Sequence, residues 1–134
     1  MSVLIIALIV LVLLSTGAVL LFRRYHTPNL NKVHFKQEWQ NLQKHCKTRK
    51  TWPLAVIDAD NLLNDALKQL HYKGKTTGER LVAAQHTLTS NETVWFGHKL
   101  RNRIANEDVR KLKKQDIVNA LSGFRQALKD LGAL

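Results

Sequence analysis

The sequence predicts an all-α protein: an N-terminal transmembrane helix followed by an antiparallel bundle of four to five helices. Three observations point there. The first 22 residues carry no charged side chain. After them, apolar residues recur at spacings of three and four, which places them on one face of a helix. No stretch alternates apolar and polar residues as a half-buried strand does, and there is no internal repeat or low-complexity tract. The chain divides into an anchor at 1–22, a juxtamembrane linker at 23–31 and a helical domain at 32–134.

The anchor comes first. Val3 to Phe22 is nearly all Leu, Ile, Val and Ala. Twenty helical residues at about 1.5 Å each span roughly 30 Å, one bilayer core. Ser15 and Thr16 are tolerated because their hydroxyls can bond to the preceding turn. A cleaved signal peptide would carry Lys or Arg before the apolar run and small residues at its end. Here nothing basic precedes Val3, and the run ends Leu20-Leu21-Phe22-Arg23-Arg24. A retained anchor is therefore expected. Arg23, Arg24, Lys32 and Lys36 follow it, and the positive-inside rule puts the C-terminal part in the cytoplasm and the N-terminus outside.

All 21 Lys and Arg and all 10 Asp and Glu lie after the anchor, so the linker and the helical domain together carry the whole net charge of +11. Such a charge fits two kinds of partner. One is an anionic lipid surface, where each basic group close to the headgroups contributes about 1 kcal/mol. The other is RNA or DNA. Cys46 is the single cysteine, which excludes an intrachain disulfide.

Pro28 lacks an N–H and should stop the membrane helix from running on. A first soluble helix is expected from Lys32 to Lys47, with Asn31 as N-cap and Phe35, Trp39, Leu42 and Cys46 as its apolar stripe. A second runs from Thr51-Trp52-Pro53 to about Tyr72, with Thr51 capping and Pro53 in the first turn. Ala55, Ala59, Leu62, Ala66 and Leu70 form its apolar line, widened by Val56, Leu63 and Leu67. Asp58, Asp60 and Asp65 are placed on its polar side. Lys73-Gly74-Lys75-Thr76-Thr77-Gly78 breaks the pattern. It lacks the earlier Gly and the preceding strand of a P-loop, so it reads as a helix stop at Gly74 and a restart, with Thr76 and Glu79 as a capping box. A third helix spans about Thr77 to Leu88. Thr89 and Glu92 are a second capping-box match and open the helix that contains Trp95 to Glu107. The last helix, Gln115 to Leu131, shows the clearest amphipathic spacing in Ile117, Leu121, Phe124, Leu128 and Leu131, with Gly132 as its stop.

Chemistry is sparse. The six His and one Cys show no metal-ligand spacing, so no metal and no cofactor is expected. Cys46 completes an apolar stripe, and Asp58 and Asp60 point to different faces of one helix. That leaves Trp95 to Glu107. His98, Asn102 and Asn106 recur at i, i+4 and i+8 and project from one face, with Arg101 beside them. Arg103 is a further candidate contact, and Arg110, Lys111, Lys113 and Lys114 form a basic patch just after.

The run Leu100-Arg101-Asn102-Arg103-Ile104-Ala105-Asn106-Glu107 resembles the signature of HEPN domains (higher eukaryote and prokaryote nucleotide-binding), all-α bundles many of which are metal-independent ribonucleases. Their motif is Arg, a polar residue that is often Asn, three further residues, then His. Arg101 and Asn102 match the first two positions, and Asn106 stands where the motif has His. Asn cannot titrate; it can only donate and accept hydrogen bonds. General acid–base catalysis is typically worth roughly 10² to 10⁴ in rate, so the resemblance implies a catalytically weakened domain. It would act as a binding or interaction module for RNA or a protein, as a homodimer through the helix bearing Arg101. Two alternatives stand beside it. One is an active, membrane-tethered endoribonuclease using Arg101, Asn102 and His98. The other is a structural subunit of a membrane complex whose basic face meets lipid. In a purely structural role, Arg101, Asn102 and Asn106 would cap loops and pair with Asp58 or Asp65.

Overall fold

The computed structural model describes residues 1–25, 28–106 and 111–134, apart from the side chains of 23–25. His26 and Thr27 of the linker, Glu107 at the end of the candidate stretch and Arg110 of the basic patch lie outside the described residues. The described chain is all-helical: α1 (Ser2–Tyr25), α2 (Lys32–Gln43), α3 (Trp52–Gln69), α4 (Thr77–Ala83), α5 (Asn91–Ile104) and α6 (Lys114–Asp130), with 3-10 turns at Lys44–Lys47 and Arg49–Thr51. An N-terminal apolar helix is followed by a helical bundle, as the periodicity predicts.

Within α1, Ser2–Phe22 is long and apolar enough to cross a bilayer, and none of it is buried against the rest of the chain. Its two hydroxyl residues bond to the preceding turn: Ser15 donates to the Val12 carbonyl at 2.9 Å, and Thr16 to those of Val12 and Leu13 at 3.0 Å.

The core lies among α2, α3, α5 and α6. Phe35, Trp39 and Leu42 of α2 meet Val56, Ala59, Leu63 and Leu67 of α3 and Phe124 and Leu128 of α6 in one continuous apolar cluster. The tightest seam joins α5 to α6, which run antiparallel. A Cβ at Gly97 would stand 2.9 Å from the Phe124 ring, and one at Gly123 would collide with the backbone oxygen of Thr93 and lie 2.9 Å from the Val94 nitrogen. Only the missing side chains let the two backbones approach so closely.

Helix ends depart from expectation in instructive ways. The α-helical part of α2 stops at Gln43, and the chain tightens into 3-10 geometry through Cys46, which is half-buried rather than in the core. Thr51 does not cap α3. Its hydroxyl donates to the carbonyl of His45 at 2.5 Å or Thr48 at 3.0 Å, and the Trp52 indole donates to Cys46 at 3.2 Å, so these side chains serve the turn carbonyls instead. The end of α3 falls at His71, not Gly74. His71 takes a left-handed φ of 61°, its N–H reaches the Lys68 carbonyl at 2.9 Å, and the Tyr72 N–H reaches that of Leu67 at 3.0 Å. This is the paired-bond stop usually built on glycine. At the end of α6 the same stop does use glycine: Gly132, with φ 77°, bonds to Lys129 at 3.0 Å while Ala133 bonds to Leu128 at 2.8 Å.

The two capping boxes part company. Thr76 accepts from the Glu79 N–H at 3.2 Å, but the Glu79 carboxylate accepts from Lys75 rather than from Thr76. Thr89 and Glu92 form no box. Ser90 is the N-cap residue of α5, and the Thr89 N–H and hydroxyl both donate to the Asp130 carboxylate at 2.8 Å. The start of α5 is thus tied to the end of α6.

Candidate functional site between α3 and α5

The inner face of α5 carries Val94, Gly97 and Leu100 into the core. The adjoining face carries Trp95, His98, Arg101 and Asn102 toward α3 and the start of α4. There a polar cavity of about 480 Å³ is lined by Asp60, Asn61, Asn64, Thr76, Thr77, Gly78, His98, Arg101 and Asn102.

Asp60 organises this site. It is only 2% exposed, the buried charged residue of the described core. One carboxylate oxygen is 2.7 Å from His98 Nδ1, and the other is 3.6 Å from Arg101 Nε. A carboxylate can only accept, so Nδ1 carries a proton, and Nε2 is the ring nitrogen turned away from Asp60. Nε2 stands 3.5 Å from Asn102 Nδ2 and the same distance from where a Cβ would sit on Gly78, two residues of the cavity wall. Trp95 meets the imidazole edge-on, with ring centroids 5.7 Å apart. The contact of Arg101 Nε with Asp60 is an ion pair too long to be a hydrogen bond, and that nitrogen is otherwise buried without a partner. Arg101 Nη1 reaches the Asn102 side-chain oxygen at 3.5 Å. The guanidinium is thus oriented from two sides, while 37% of the side chain stays exposed.

Three of the residues singled out on α5 therefore come together: His98, Arg101 and Asn102. Others do not. Asn106 lies beyond the end of the helix, is exposed, and its side-chain amide donates to the Asn102 backbone oxygen at 3.5 Å. The expected 98–102–106 face loses its last member because α5 ends at Ile104. Arg103 is exposed on a different side. Lys111, Lys113 and Lys114 are exposed where the chain enters α6. The acidic partner is also corrected. Arg101 pairs with Asp60, whereas Asp58 lies 3.4 Å from His45 Nε2 and Asp65 lines a separate cleft between α2 and α3.

Asp60 is buried and not on the polar side where the sequence reading puts it, although its burial had a readable signal. Val56, Asp60, Leu63 and Leu67 keep a 4-3-4 spacing, so a carboxylate sits inside an apolar stripe and must be buried. An acid in that position needs partners, and His98 and Arg101 are those partners. Asn64 had no such signal. It accepts from Arg80 at 2.9 Å only because α4 folds back over α3.

No group of three or more His, Cys, Asp or Glu side chains is placed to hold a metal ion among the described residues. Burial pushes the Cys46 thiol up from its ordinary value, which keeps it protonated and a poor nucleophile. What the cavity can do chemically is hold an anion against an oriented guanidinium and three asparagine amides, beside an imidazole held by Asp60. No protein-family model, curated protein or solved structure matches this chain.

Proposed function

We propose that this chain is a single-pass membrane protein whose HEPN-like domain binds RNA through the cavity between α3 and α5. Arg101 takes a phosphate, and Asn102, Asn61 and Asn64 hydrogen-bond to sugar or base. The observation that carries this reading is the orientation of Arg101. Its Nε lies beside buried Asp60 while much of the side chain remains exposed, an arrangement suited to bidentate contact with phosphate. The net charge of +11 supports it. The basic residues Arg23, Arg24, Lys32 and Lys36 support a cytoplasmic domain and an external N-terminus. Dimerisation through α5 belongs to the same reading.

In this reading the domain binds without cutting, because Asn at 106 cannot move a proton and lies outside the cluster. One observation favours the active alternative: the 2.7 Å contact of His98 with Asp60 leaves Nε2 at the cavity wall, as a general base requires.

The test uses the full chain in detergent with labelled single-stranded RNA and a chelator. Binding that weakens roughly tenfold in Arg101→Ala, with a charge-assisted hydrogen bond lost, and RNA left intact are expected. Cleavage that disappears in His98→Ala would replace the binding reading with the ribonuclease one. RNA affinity unchanged in Arg101→Ala would remove the cavity from RNA recognition. Acquisition of cleavage by Asn106→His would support the family resemblance.

A further inference from the structure

A second cavity, on the other side of the bundle, carries a different charge pattern. It lies between α2 and α6, measures about 390 Å³, and is lined by Lys36, Trp39, Gln40, Gln43, Arg125, Lys129 and Leu134. No acidic side chain lines it, and Lys36, Arg125 and Lys129 make no ion pair among the described residues. Three cations gathered around one concavity repel one another unless an anion joins them. The cleft on the opposite side of α2 has the reverse character, with Glu38, Asp58 and Asp65 in its wall. Lys36, Arg125 and Lys129 therefore stand on one flank of α2, and Glu38, Asp58 and Asp65 on the other.

Two further observations narrow the ligand. Trp39 is 7% exposed, and its indole N–H is buried without an acceptor. A buried donor left unpaired is costly, and Trp39 lines this cavity, so a small turn of the indole toward it would give that donor an anion's oxygen to bond. Chain length places the cavity near the bilayer. Only six residues separate Tyr25 at the end of α1 from Lys32 at the start of α2. Seven steps of at most about 3.6 Å hold Lys32 within roughly 25 Å of the helix end, and Lys36 lies one turn further on.

We infer that the cavity between α2 and α6 is a headgroup site for an anionic phospholipid. The lipid phosphate sits among Lys36, Arg125 and Lys129 beside the Trp39 indole, while Gln40 and Gln43 face the polar part of the headgroup. The inference rests on α1 lying in the membrane and is independent of what the cavity between α3 and α5 binds.

The experiment uses the full chain in a neutral detergent, titrated with short-chain phosphatidylglycerol or phosphatidylcholine and read by native mass spectrometry. Phosphatidylglycerol should bind in preference. Replacing Lys36, Arg125 and Lys129 together by Gln should weaken it on the order of a hundredfold, about fivefold per cation removed. A charge-matched variant with Lys50, Lys73 and Lys75 changed to Gln should bind as the wild type does. Trp39 fluorescence, followed in a Trp52→Phe, Trp95→Phe background, should shift on adding phosphatidylglycerol. Equal losses in the two triple variants would reduce the effect to diffuse charge and overturn the site, as would equal binding of both lipids. Saturation by millimolar inorganic phosphate, with no preference for the lipid, would assign the cavity to a soluble phosphate instead. Short RNA that competes at the cavity and is lost only in the Lys36, Arg125 and Lys129 variant would also overturn the lipid assignment. Alkaline extraction of membranes tests the anchor by itself, so loss of the anchor and loss of the headgroup site give different results.

Discussion

The two faces of α5 are built on opposite principles. Toward α6, Gly97 and Gly123 remove side chains so that backbones touch, and Val94 and Leu100 fill what remains. Toward α3, His98, Arg101 and Asn102 stand around a polar cavity, and a single buried carboxylate holds the first two, which in turn contact Asn102. The first face tolerates almost no added volume, because packed backbone has nowhere to move. The second tolerates volume but depends on charge balance. One helix is thereby clamped rigidly on one side so that its other side can present aligned polar groups.

The clamp should be the easier face to break. Gly123→Val puts three carbons against the Thr93 and Val94 backbone. It should cost about 3 kcal/mol or more, seen as an early unfolding transition by circular dichroism of the full chain in detergent. A variant as stable as the wild type would mean that the seam is looser than described. A smaller loss is expected on the polar face. Asp60→Ala strands His98 and Arg101 without their anion. Because Arg101 is partly exposed and solvent can take over, the cost should be about 2 kcal/mol rather than that of a fully buried pair. RNA binding should fall with it, whereas Asp60→Asn should retain more of the stability than of the binding. Equal binding by wild type and Asp60→Ala would show that Arg101 needs no positioning.

The smallest effect concerns the tie between the two ends of the clamp. Burial alone would raise the Asp130 carboxyl, but the Thr89 N–H, the Gln126 amide and the Thr89 hydroxyl outweigh it and hold the value below the usual one. A group lowered in this way stabilises the fold above its unfolded value of about 3.9, and that contribution disappears as pH falls through the lower folded value. Asp130→Asn should therefore lose a little stability at neutral pH and show a flatter melting profile below about pH 4. An unchanged acid limb in that variant would assign the tie to the hydroxyl rather than to the charge.

The helices were legible because their apolar spacing is local. Phe35, Trp39 and Leu42, and Ile117, Phe124 and Leu128, occupy the core positions their periodicity predicts. Helix ends were less legible. The Thr89 to Glu92 spacing matches a capping box, but Asp130, 41 residues away, competes successfully for Thr89. His71 ends α3 where Gly74 was the obvious stop, since a left-handed residue is required one position after the last turn and the chain supplies His there.

The candidate site was half legible. His98, Arg101 and Asn102 are close in sequence and share a helix, so their grouping follows from helical spacing alone. Asn106 was grouped with them only on the assumption that the helix continued.

By itself, the sequence determined an apolar helix long enough for a bilayer, a bundle of amphipathic helices and a strongly basic domain, because charge and 3.6-residue periodicity are written residue by residue. Only the tertiary structure decided which carboxylate meets Arg101, that glycines join α5 to α6, and that Lys36, Arg125 and Lys129 stand on the opposite flank of α2 from Glu38, Asp58 and Asp65. Those outcomes depend on which faces of distant helices meet, and the burial of one polar group among them selects its partners.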